Sequence, residues 1–325
     1  MNTPILSIEN LHVRFNTYAG TVYAINGMSF DIRSGEMFGL VGESGCGKTV
    51  TGLAVMRAIP SSGSIENGRI FFNGENLLKK SDIEMQDIRG GRIAMIFQDP
   101  TASLNPVFTV GRQIVLQITH HRHISKKGAN QLALDIFAEV GLPHPESIMH
   151  SYPHELSGGM QQRVMIAMAL ASGAELLIAD EPTTALDVTI QAQILALLSL
   201  LREREGLSLL LITHDLAVVA ETCDRVAVTY NGRIVEIGTV DDVLYKTKHP
   251  YTQGLLDALP DTVGDKQSLK VIKGNVPDGL HKIPGCSFHP RCPKVMDMCL
   301  DEPPNLFNID AEEHSAACFL YLHET

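Results

Sequence analysis

The sequence has few basic residues, no long apolar run and no signal-like start. Lys and Arg total 26 against 37 Asp and Glu, so the net charge is −11 and, without a basic cluster, a nucleic-acid partner is disfavoured. The longest apolar run, LSLLLIT at 207–213, is too short to cross a bilayer. The start, MNTPILSIENLHVRF, lacks the charged-then-apolar order of a secretory signal. We therefore expect a soluble cytosolic protein that reaches a membrane only through a partner.

Cysteine is scarce until the end of the chain. Cys46 and Cys223 stand apart, and the other four of the six, Cys286, Cys292, Cys299 and Cys318, fall near the C-terminus. A reducing cytosol argues against disulfides there. The length of 325 residues predicts two domains, or one large domain with an appendage.

The order of predicted elements indicates an α/β fold. ILSIENLHVRF and TVYAINGMSFDI alternate apolar and polar residues, as antiparallel strands do. Between about 100 and 170 the apolar spacing is helical. From 173 onward, buried strands alternate with helices, which predicts a parallel sheet with crossover helices. Beyond about 250, Pro and Gly become frequent, which predicts a linker to a small cysteine-bearing tail.

GESGCGKT at 42–49 matches G-x-x-x-x-G-K-[ST] between a predicted strand and a predicted helix. The backbone amides of such a loop, and the start of the following helix, surround a phosphate. Lys48 is expected to reach the β- and γ-phosphates and the Thr49 hydroxyl to bind Mg²⁺. A random match in a chain of this length has odds of roughly 1%, so we expect a nucleotide site.

Two further strand ends carry polar side chains. LLIADEP at 176–182 places Asp180 to hold Mg²⁺ through a water and Glu181 to act as general base on an attacking water. An ordinary strand-end turn is the alternative, because Asp, Glu and Pro all favour turns. ITHD at 212–215 places His214 after another strand, where a γ-phosphate contact is reasonable.

A second pair of glycines occurs in LSGGMQQR at 156–163, before a predicted helix. Helix capping explains Ser157, because Ser is a preferred N-cap. Capping does not explain Gly158 and Gly159, because glycine is a poor helix residue.

GESGCGKT, IFQDP, LSGGMQQR, LLIADEP, TALD and ITHD occur in this order, and the sequence resembles the ATP-binding-cassette (ABC) ATPases of membrane transporters over about residues 5–255. The resemblance implies two cassettes that meet head to tail. Ser157, Gly158 and Gly159 of one cassette would then close over the ATP held by the phosphate loop of the other, through the helix N-terminus.

The resemblance also implies roles for single residues. Gln98 would sense Mg²⁺ and the γ-phosphate and face the membrane subunit, Asp187 would cross the dimer interface, and Phe15, or alternatively Tyr23, would stack on adenine. The implied catalytic residues are Glu181, His214 and Gln98, and the implied Mg²⁺ ligands are Thr49, Gln98 and Asp180. The implied nucleotide-binding residues are Phe15, Gly42, Ser44, Gly45, Cys46, Gly47, Lys48, Thr49, Val50, Ser157, Gly158, Gly159, Asp180 and Asp187.

TKHPYTQGLLDALP at 247–260 and GCSFHPRCPKVMDMC at 285–299 resemble the C-terminal extension of the dipeptide, oligopeptide and nickel importer ATPases. This resemblance implies a [4Fe–4S] cluster that orders the tail, with Arg291 nearby to offset its charge. Zinc, with His289 in place of a cysteine, and uncoordinated thiols are the alternatives. The implied cluster ligands are Cys286, Cys292, Cys299 and Cys318.

We thus expect a P-loop ABC cassette of the α/β class at 1–255, with a parallel sheet core, an antiparallel β subdomain and a helical subdomain at about 100–170. A C-terminal extension follows at 256–325. The expected function is ATP hydrolysis for a di- or oligopeptide importer at the cytoplasmic face of the membrane. The expected partners are a second cassette, either a paralogue or an identical copy, two permeases and, indirectly, an extracytoplasmic binding protein.

Other functions stay open as alternatives. A nickel or other small-solute importer fits the same motifs, because the permeases and the binding protein select the substrate. A soluble cassette of DNA repair or translation is disfavoured by the net charge of −11. A non-catalytic cassette is disfavoured by the intact Lys48, Asp180, Glu181 and His214.

Overall fold

The computed structural model describes residues 4–184, 186–259, 272–309 and 313–322. The strands are β1 (Leu6–Thr17), β2 (Gly20–Ile32), β3 (Met37–Val41), β4 (Gly63–Phe72), β5 (Glu75–Asn76), β6 (Ile93–Ile96), β7 (Leu176–Asp180), β8 (Ser208–Thr213), β9 (Arg225–Tyr230), β10 (Arg233–Thr239), β11 (Phe307–Asn308) and β12 (Ser315–Ala316). The helices are α1 (Lys48–Val55), α2 (Asp82–Ile88), α3 (Pro100–Ser103), α4 (Val110–Arg122), α5 (Lys126–Glu139), α6 (Pro145–Ile148), α7 (Gly158–Ser172), α8 (Val188–Glu205), α9 (Leu216–Thr222), α10 (Val240–Tyr245), α11 (Pro250–Asp257) and α12 (Met298–Asp301). Among the helices described, none combines the length and the apolar character that spanning a bilayer requires.

The first of two compact units comprises the described residues of 1–5, 32–37 and 73–212. Its strands β6, β7 and β8 pair in parallel, with Ile93 opposite Leu176 and Leu176 opposite Ser208. Every residue of β7 and β8 is buried. Strands covered on both faces are expected to be continuously apolar, which agrees with the predicted parallel sheet.

The same unit contains the helices predicted between about 100 and 170. Helices α4, α5 and α7 pack on one another. Each begins at a side-chain cap, because Thr109, Ser125 and Ser157 accept backbone N–H groups of the first turn. The sequence therefore sets the start of each helix locally, before tertiary packing orients it.

The second unit comprises the described residues of 6–31, 38–72 and 213–325. It holds the antiparallel strands β2, β1 and β4 in that order, and a mixed sheet in the order β11, β12, β10, β9, β3. Strand β3 runs parallel to β9, whereas β9 and β10 form an antiparallel hairpin. Asn231 and Gly232 join the hairpin with φ angles of 47° and 74°, the positive pair that a tight Asn-Gly turn requires.

The core of the second unit includes a residue of the tail, by which we mean the described residues from 272 onward. The rings of Tyr230, Tyr251 and Phe288 lie with centroids 4.7, 5.2 and 5.3 Å apart. All three are fully buried and pack with the apolar side chains of β9. The tail is therefore held by aromatic packing against the cassette. The predicted linker lies partly at 260–271, outside the described residues, and the domain limit at 255 stays a prediction.

Burial of His249 links this core to helix α11. The His249 side chain is the N-cap of α11, where its Nδ1 accepts the backbone N–H of Tyr251 at 3.1 Å. Burial lowers the pKa of His249 to about 3, and the backbone of Ala317 opposes this shift in part. The imidazole is consequently neutral in the folded protein at neutral pH.

We predict that His249 destabilises the fold in acid. Because its pKa is near 6.5 in the unfolded chain and about 3 in the folded one, the unfolded chain binds the extra proton between these values. The free energy of unfolding should therefore fall below pH 6.5, by about 1.4 kcal/mol per pH unit from this residue. Urea unfolding at a series of pH values measures the slope. His249→Asn keeps a capping side chain without titrating and should show a shallower slope; equal slopes would contradict the prediction.

Candidate functional site

Residues 42–47 form a loop between β3 and α1, and the shape of this loop requires glycine. The φ angles of Gly42 and Gly47 are 156° and 96°. A Cβ on Gly42 would lie 2.2 Å from the carbonyl oxygen of Thr229, and one on Gly47 would lie 2.5 Å from that of Ala24. Gly47 is also the N-cap of α1, and no side chain caps that helix. A bare helix start of this kind suits an anion.

Lys48 is the first residue of α1, and its side chain reaches back into this loop. Its buried Nζ donates to the carbonyl oxygens of Gly42 at 2.7 Å and Glu43 at 3.0 Å, and it lies 3.8 Å from the Sγ of Cys46. Burial raises the pKa of the Cys46 thiol, although the Lys48 ammonium opposes this shift. Cys46 is therefore a neutral packing residue rather than a nucleophile. Of the other predicted loop contacts, Ser44, Gly45 and Thr49 are exposed and Val50 is half-buried.

The structure brings Gln98 and Glu181 into contact, although 83 residues separate them. Gln98 Nε2 donates to Glu181 Oε2 at 3.0 Å, and Thr184 Oγ1 donates to the same oxygen at 2.9 Å. The preceding residue, Asp180, is buried at the end of β7. Two side chains thus orient the Glu181 carboxylate, of which Thr184 was not identified from the sequence.

The backbone of Glu181 is unusual for a residue that carries a side chain. Its φ is 45°, in the left-handed region, and its N–H donates to the carbonyl oxygen of Ile212 at 2.8 Å. Such a conformation is disfavoured by about 1 kcal/mol or more outside glycine, and residues of this kind cluster at functional sites. The tight turn after β7 therefore determines where the carboxylate is placed.

His214 is exposed and follows β8 directly. The turn around it is set by Asp215, whose N–H donates to Thr213 Oγ1 at 3.1 Å and whose Oδ1 accepts the N–H of Ala217 at 2.9 Å. Asp215 thereby caps α9 and leaves the imidazole of His214 at the surface.

Three neighbouring residues at the start of α7 have different explanations. Ser157 is the N-cap and accepts the N–H of Met160 at 3.4 Å. A Cβ on Gly159 would lie 2.8 Å from Ile190 Cγ2 of α8, so helix packing requires glycine there. A Cβ on Gly158 would meet only Leu186, at 3.6 Å, which is ordinary contact. Among the described residues, nothing in its own subunit demands that Gly158 be a glycine.

Two polar side chains, Gln161 and Asp187, hold the loop before α7 and the start of α8 respectively. Gln161 is buried, and its Nε2 donates to the carbonyl oxygens of Pro153 at 2.8 Å and Leu156 at 3.1 Å, which fixes the loop before α7. This residue was not identified from the sequence, although it stands inside the LSGGMQQR motif. Asp187 is exposed and caps α8, accepting the N–H of Ile190 at 3.0 Å.

The two aromatic candidates for adenine differ in what covers them. Phe15 is half-buried on β1, directly opposite Gly63 of β4, and a Cβ on Gly63 would lie 2.5 Å from the Phe15 ring. The ring of Tyr23 carries Lys282, whose Nζ lies 4.5 Å from its centroid. The glycine opposite Phe15 thus leaves room for its ring, whereas Lys282 already occupies a face of Tyr23.

The predicted iron–sulfur cluster on Cys286, Cys292, Cys299 and Cys318 is wrong. Across the described parts of the chain, no group of three or more His, Cys, Asp or Glu side chains is arranged to hold a metal ion. Burial raises the pKa of the Cys286 and Cys292 thiols, and that of Cys318 to about 11.

The zinc alternative has no support either. The absence of a side-chain group suited to a metal, across the described residues, applies to zinc as well, and His289 Nδ1 lies 2.9 Å from the carbonyl oxygen of Cys286. Cys286 and Cys292 instead pack against the core that contains the buried ring of Phe288. Arg291 pairs with Glu43 of the phosphate loop, not with a cluster.

Comparison with known proteins agrees with this assembly of features. Residues 25–184 match the family model described as ABC transporter, and residues 235–299 match that described as the oligopeptide/dipeptide transporter C-terminal region. The dimeric structure of the ATP-binding cassette MJ0796, in a post-hydrolysis state bound to ADP and Pi, is similar, with a TM-score of 0.65 at 25% identity. The similarity covers 72% of this chain and 98% of that one. The chain therefore has the α/β cassette fold of the P-loop ABC ATPases.

Similar sequences extend over nearly the whole chain. The dipeptide transport ATP-binding protein DppD of Bacillus subtilis (strain 168) is 48% identical over 97% of this chain and 94% of its own length. DppD of Escherichia coli (strain K12) is 46% identical over 97% and 96%. The oligopeptide transport ATP-binding protein AppD of Bacillus subtilis is 47% identical over 98% of both chains. The chain accordingly belongs to the ABC transporter ATPases, in the group of dipeptide and oligopeptide transport ATP-binding proteins.

Proposed function

We propose that this chain hydrolyses ATP to power an importer of di- and oligopeptides. The observation that carries the proposal is the 48% identity with a dipeptide transport ATP-binding protein over 97% of the chain. The match of residues 235–299 to the C-terminal region of such transporters adds to it. In this function the chain works with two membrane permeases at the cytoplasmic face and, through them, with an extracytoplasmic substrate-binding protein. A second cassette, most simply a paralogue of this chain, completes the ATPase.

The nucleotide is assigned to the phosphate loop. Lys48 neutralises the phosphates, and the loop from Gly42 to Val50, with Ser44, Gly45, Cys46 and Gly47, supplies backbone amides. The bare helix start at Gly47 and the glycine-only backbone support this assignment. Phe15 is the proposed platform for adenine, since Lys282 covers part of Tyr23.

Hydrolysis is assigned to Glu181, which accepts a proton from the attacking water. Its hydrogen bonds from Gln98 and Thr184 orient the carboxylate and support this role. His214 contacts the γ-phosphate. The oxygen ligands of Thr49, Asp180 and Gln98 suit Mg²⁺, which supplies charge neutralisation on the phosphates when bound.

The start of α7 is proposed to complete the site of a partner cassette. The Ser157 hydroxyl and the amides of Gly158 and Gly159 would face a γ-phosphate held by that partner, and Asp187 would lie at the interface. The freedom of Gly158 from packing demands supports this role.

Reconstitution tests the function as a whole. The chain, its second cassette and its permeases in vesicles should show ATP hydrolysis that increases when the binding protein carries a labelled dipeptide, with uptake of that label. Uptake of Ni²⁺ in place of dipeptide would reassign the substrate to the nickel alternative. An absence of any uptake-coupled hydrolysis would count against an importer.

We predict that Glu181→Gln abolishes turnover and retains ATP binding. Removal of a general base typically costs 10²–10⁴-fold in rate, whereas the amide is close in shape to the carboxylate. Single-turnover ATP hydrolysis measures the rate, and fluorescence titration measures the affinity. Lys48→Ala is the contrasting variant and should lose the binding itself. Near-native turnover in Glu181→Gln would remove Glu181 from its proposed role.

We further predict that Gly158→Val prevents ATP-dependent pairing of cassettes. Among the described residues of its own subunit, the Cβ of the new side chain meets only Leu186, at an ordinary 3.6 Å, and the valine fills space before the α7 amides. In a Glu181→Gln background, light scattering of the chain alone and with its second cassette should show dimerisation weakened by about tenfold or more, with unchanged ATP affinity. Gly128→Val, in the first turn of α5, is the matched control. Equal dimerisation by the Glu181→Gln protein and by its Gly158→Val and Gly128→Val derivatives would refute the prediction.

A further inference from the structure

Arg291 of the tail forms a two-point ion pair with the phosphate loop. Its Nη1 lies 2.7 Å from Glu43 Oε2, and its Nη2 lies 3.1 Å from Glu43 Oε1. The Arg291 side chain is 5% exposed, against 28% for that of Glu43. A guanidinium and a carboxylate in this fork geometry form one of the stronger and more directional polar contacts in proteins.

The guanidinium is also held from other sides. Nε donates to the carbonyl oxygen of Lys273 at 3.1 Å, and Nη1 lies 3.4 Å from the hydroxyl of Tyr230. The pairing with Glu43 raises the pKa of Arg291 above its already high ordinary value. The cation is therefore fixed in position before any ligand arrives.

Glu43 transmits this position to the residue that binds phosphate. Its backbone N–H donates to the hydroxyl of Tyr251 at 3.0 Å, and its carbonyl oxygen accepts Lys48 Nζ at 3.0 Å. The side chain of Glu43 is thus held by Arg291, while its peptide group holds Lys48. A continuous chain of contacts runs from the tail through Glu43 to the Lys48 ammonium.

Glu43 also poses an electrostatic problem for the loop. Its carboxylate belongs to a loop that is proposed to hold a triphosphate. The negative charge of the carboxylate and the negative charges of the phosphates repel one another. Arg291 neutralises that carboxylate from a buried position, where salt screens the pair less than at the surface.

We propose that Arg291 is a positioning residue for ATP binding, which acts through Glu43 on the phosphate loop. The inference rests on the proposed nucleotide site. It gives the tail a function in the ATPase cycle that the sequence motifs do not assign, because Arg291 contacts neither the phosphate-loop lysine nor, in this proposal, the nucleotide.

A double-mutant cycle tests the inference on the full-length chain. Arg291→Gln should weaken the binding of a fluorescent MgATP analogue by about five- to tenfold, because an uncompensated carboxylate remains in the loop. In a Glu43→Gln background the same change should have an effect of less than about twofold, because its partner charge is gone. In steady-state hydrolysis the change should appear in KM rather than in kcat.

Arg69→Gln is the matched control. It removes another Arg–Glu ion pair of the same unit, Arg69 to Glu9 at 2.7 Å, which lies on the exposed surface of the β1–β4 sheet. Its ATP affinity should equal that of the native chain. Thermal unfolding of every variant shows whether it is folded, and if Arg291→Gln is not, Arg291→Lys in the native and Glu43→Gln backgrounds makes the same comparison.

The outcomes separate this inference from the proposed function. Equal losses of affinity in the native and Glu43→Gln backgrounds, or no loss in a folded Arg291 variant, would overturn the inference. If Lys48→Ala nevertheless abolishes ATP binding in the same assay, the proposed function stands although the inference about Arg291 fails. Native protein that binds no ATP, or binds it equally after Lys48→Ala, would overturn both.

Discussion

The phosphate loop depends on a steric constraint: two carbonyl oxygens lie where side chains would otherwise be. The oxygens of Thr229 and Ala24 come within 2.5 Å of the Cβ positions of Gly42 and Gly47. The backbone can therefore fold closely around the Lys48 ammonium, which its own carbonyls hold. A charged lysine that is almost completely buried needs such partners, because desolvation without them would be costly.

The tail contributes to this loop by packing and by charge. Phe288 completes an aromatic cluster with Tyr230 and Tyr251. Arg291, three residues after Phe288, pairs with Glu43. A segment this short cannot build a sufficient core of its own, so it packs into the core of the second unit. This is the role that the sequence resemblance had led us to assign to a metal cluster.

The start of α7 shows that neighbouring residues of one motif can have different structural roles. Ser157 satisfies a backbone amide, Gly159 allows α8 to approach, and Gly158 has no comparable requirement in its own subunit, as far as the described residues go. The strained φ of Glu181 is a similar case, since a residue with a side chain is retained where glycine would be easier. Positions that local stability does not explain are those where function is most reasonably sought.

The sequence by itself determined the fold class, the family and the local elements, since periodicity, caps and the spacing of the glycine motifs act over short stretches of chain. It could place Lys48 directly after a glycine loop, Asp180 at a strand end and Ser157 at a helix start, because each of these depends on neighbouring residues. Only the tertiary structure decided that Thr184 and Gln98 orient Glu181, that Cys286 and Cys292 pack against the aromatic core, and that Arg291 meets Glu43 across 248 residues. Such contacts depend on side-chain direction and burial in the folded chain, and no pattern along the sequence records them.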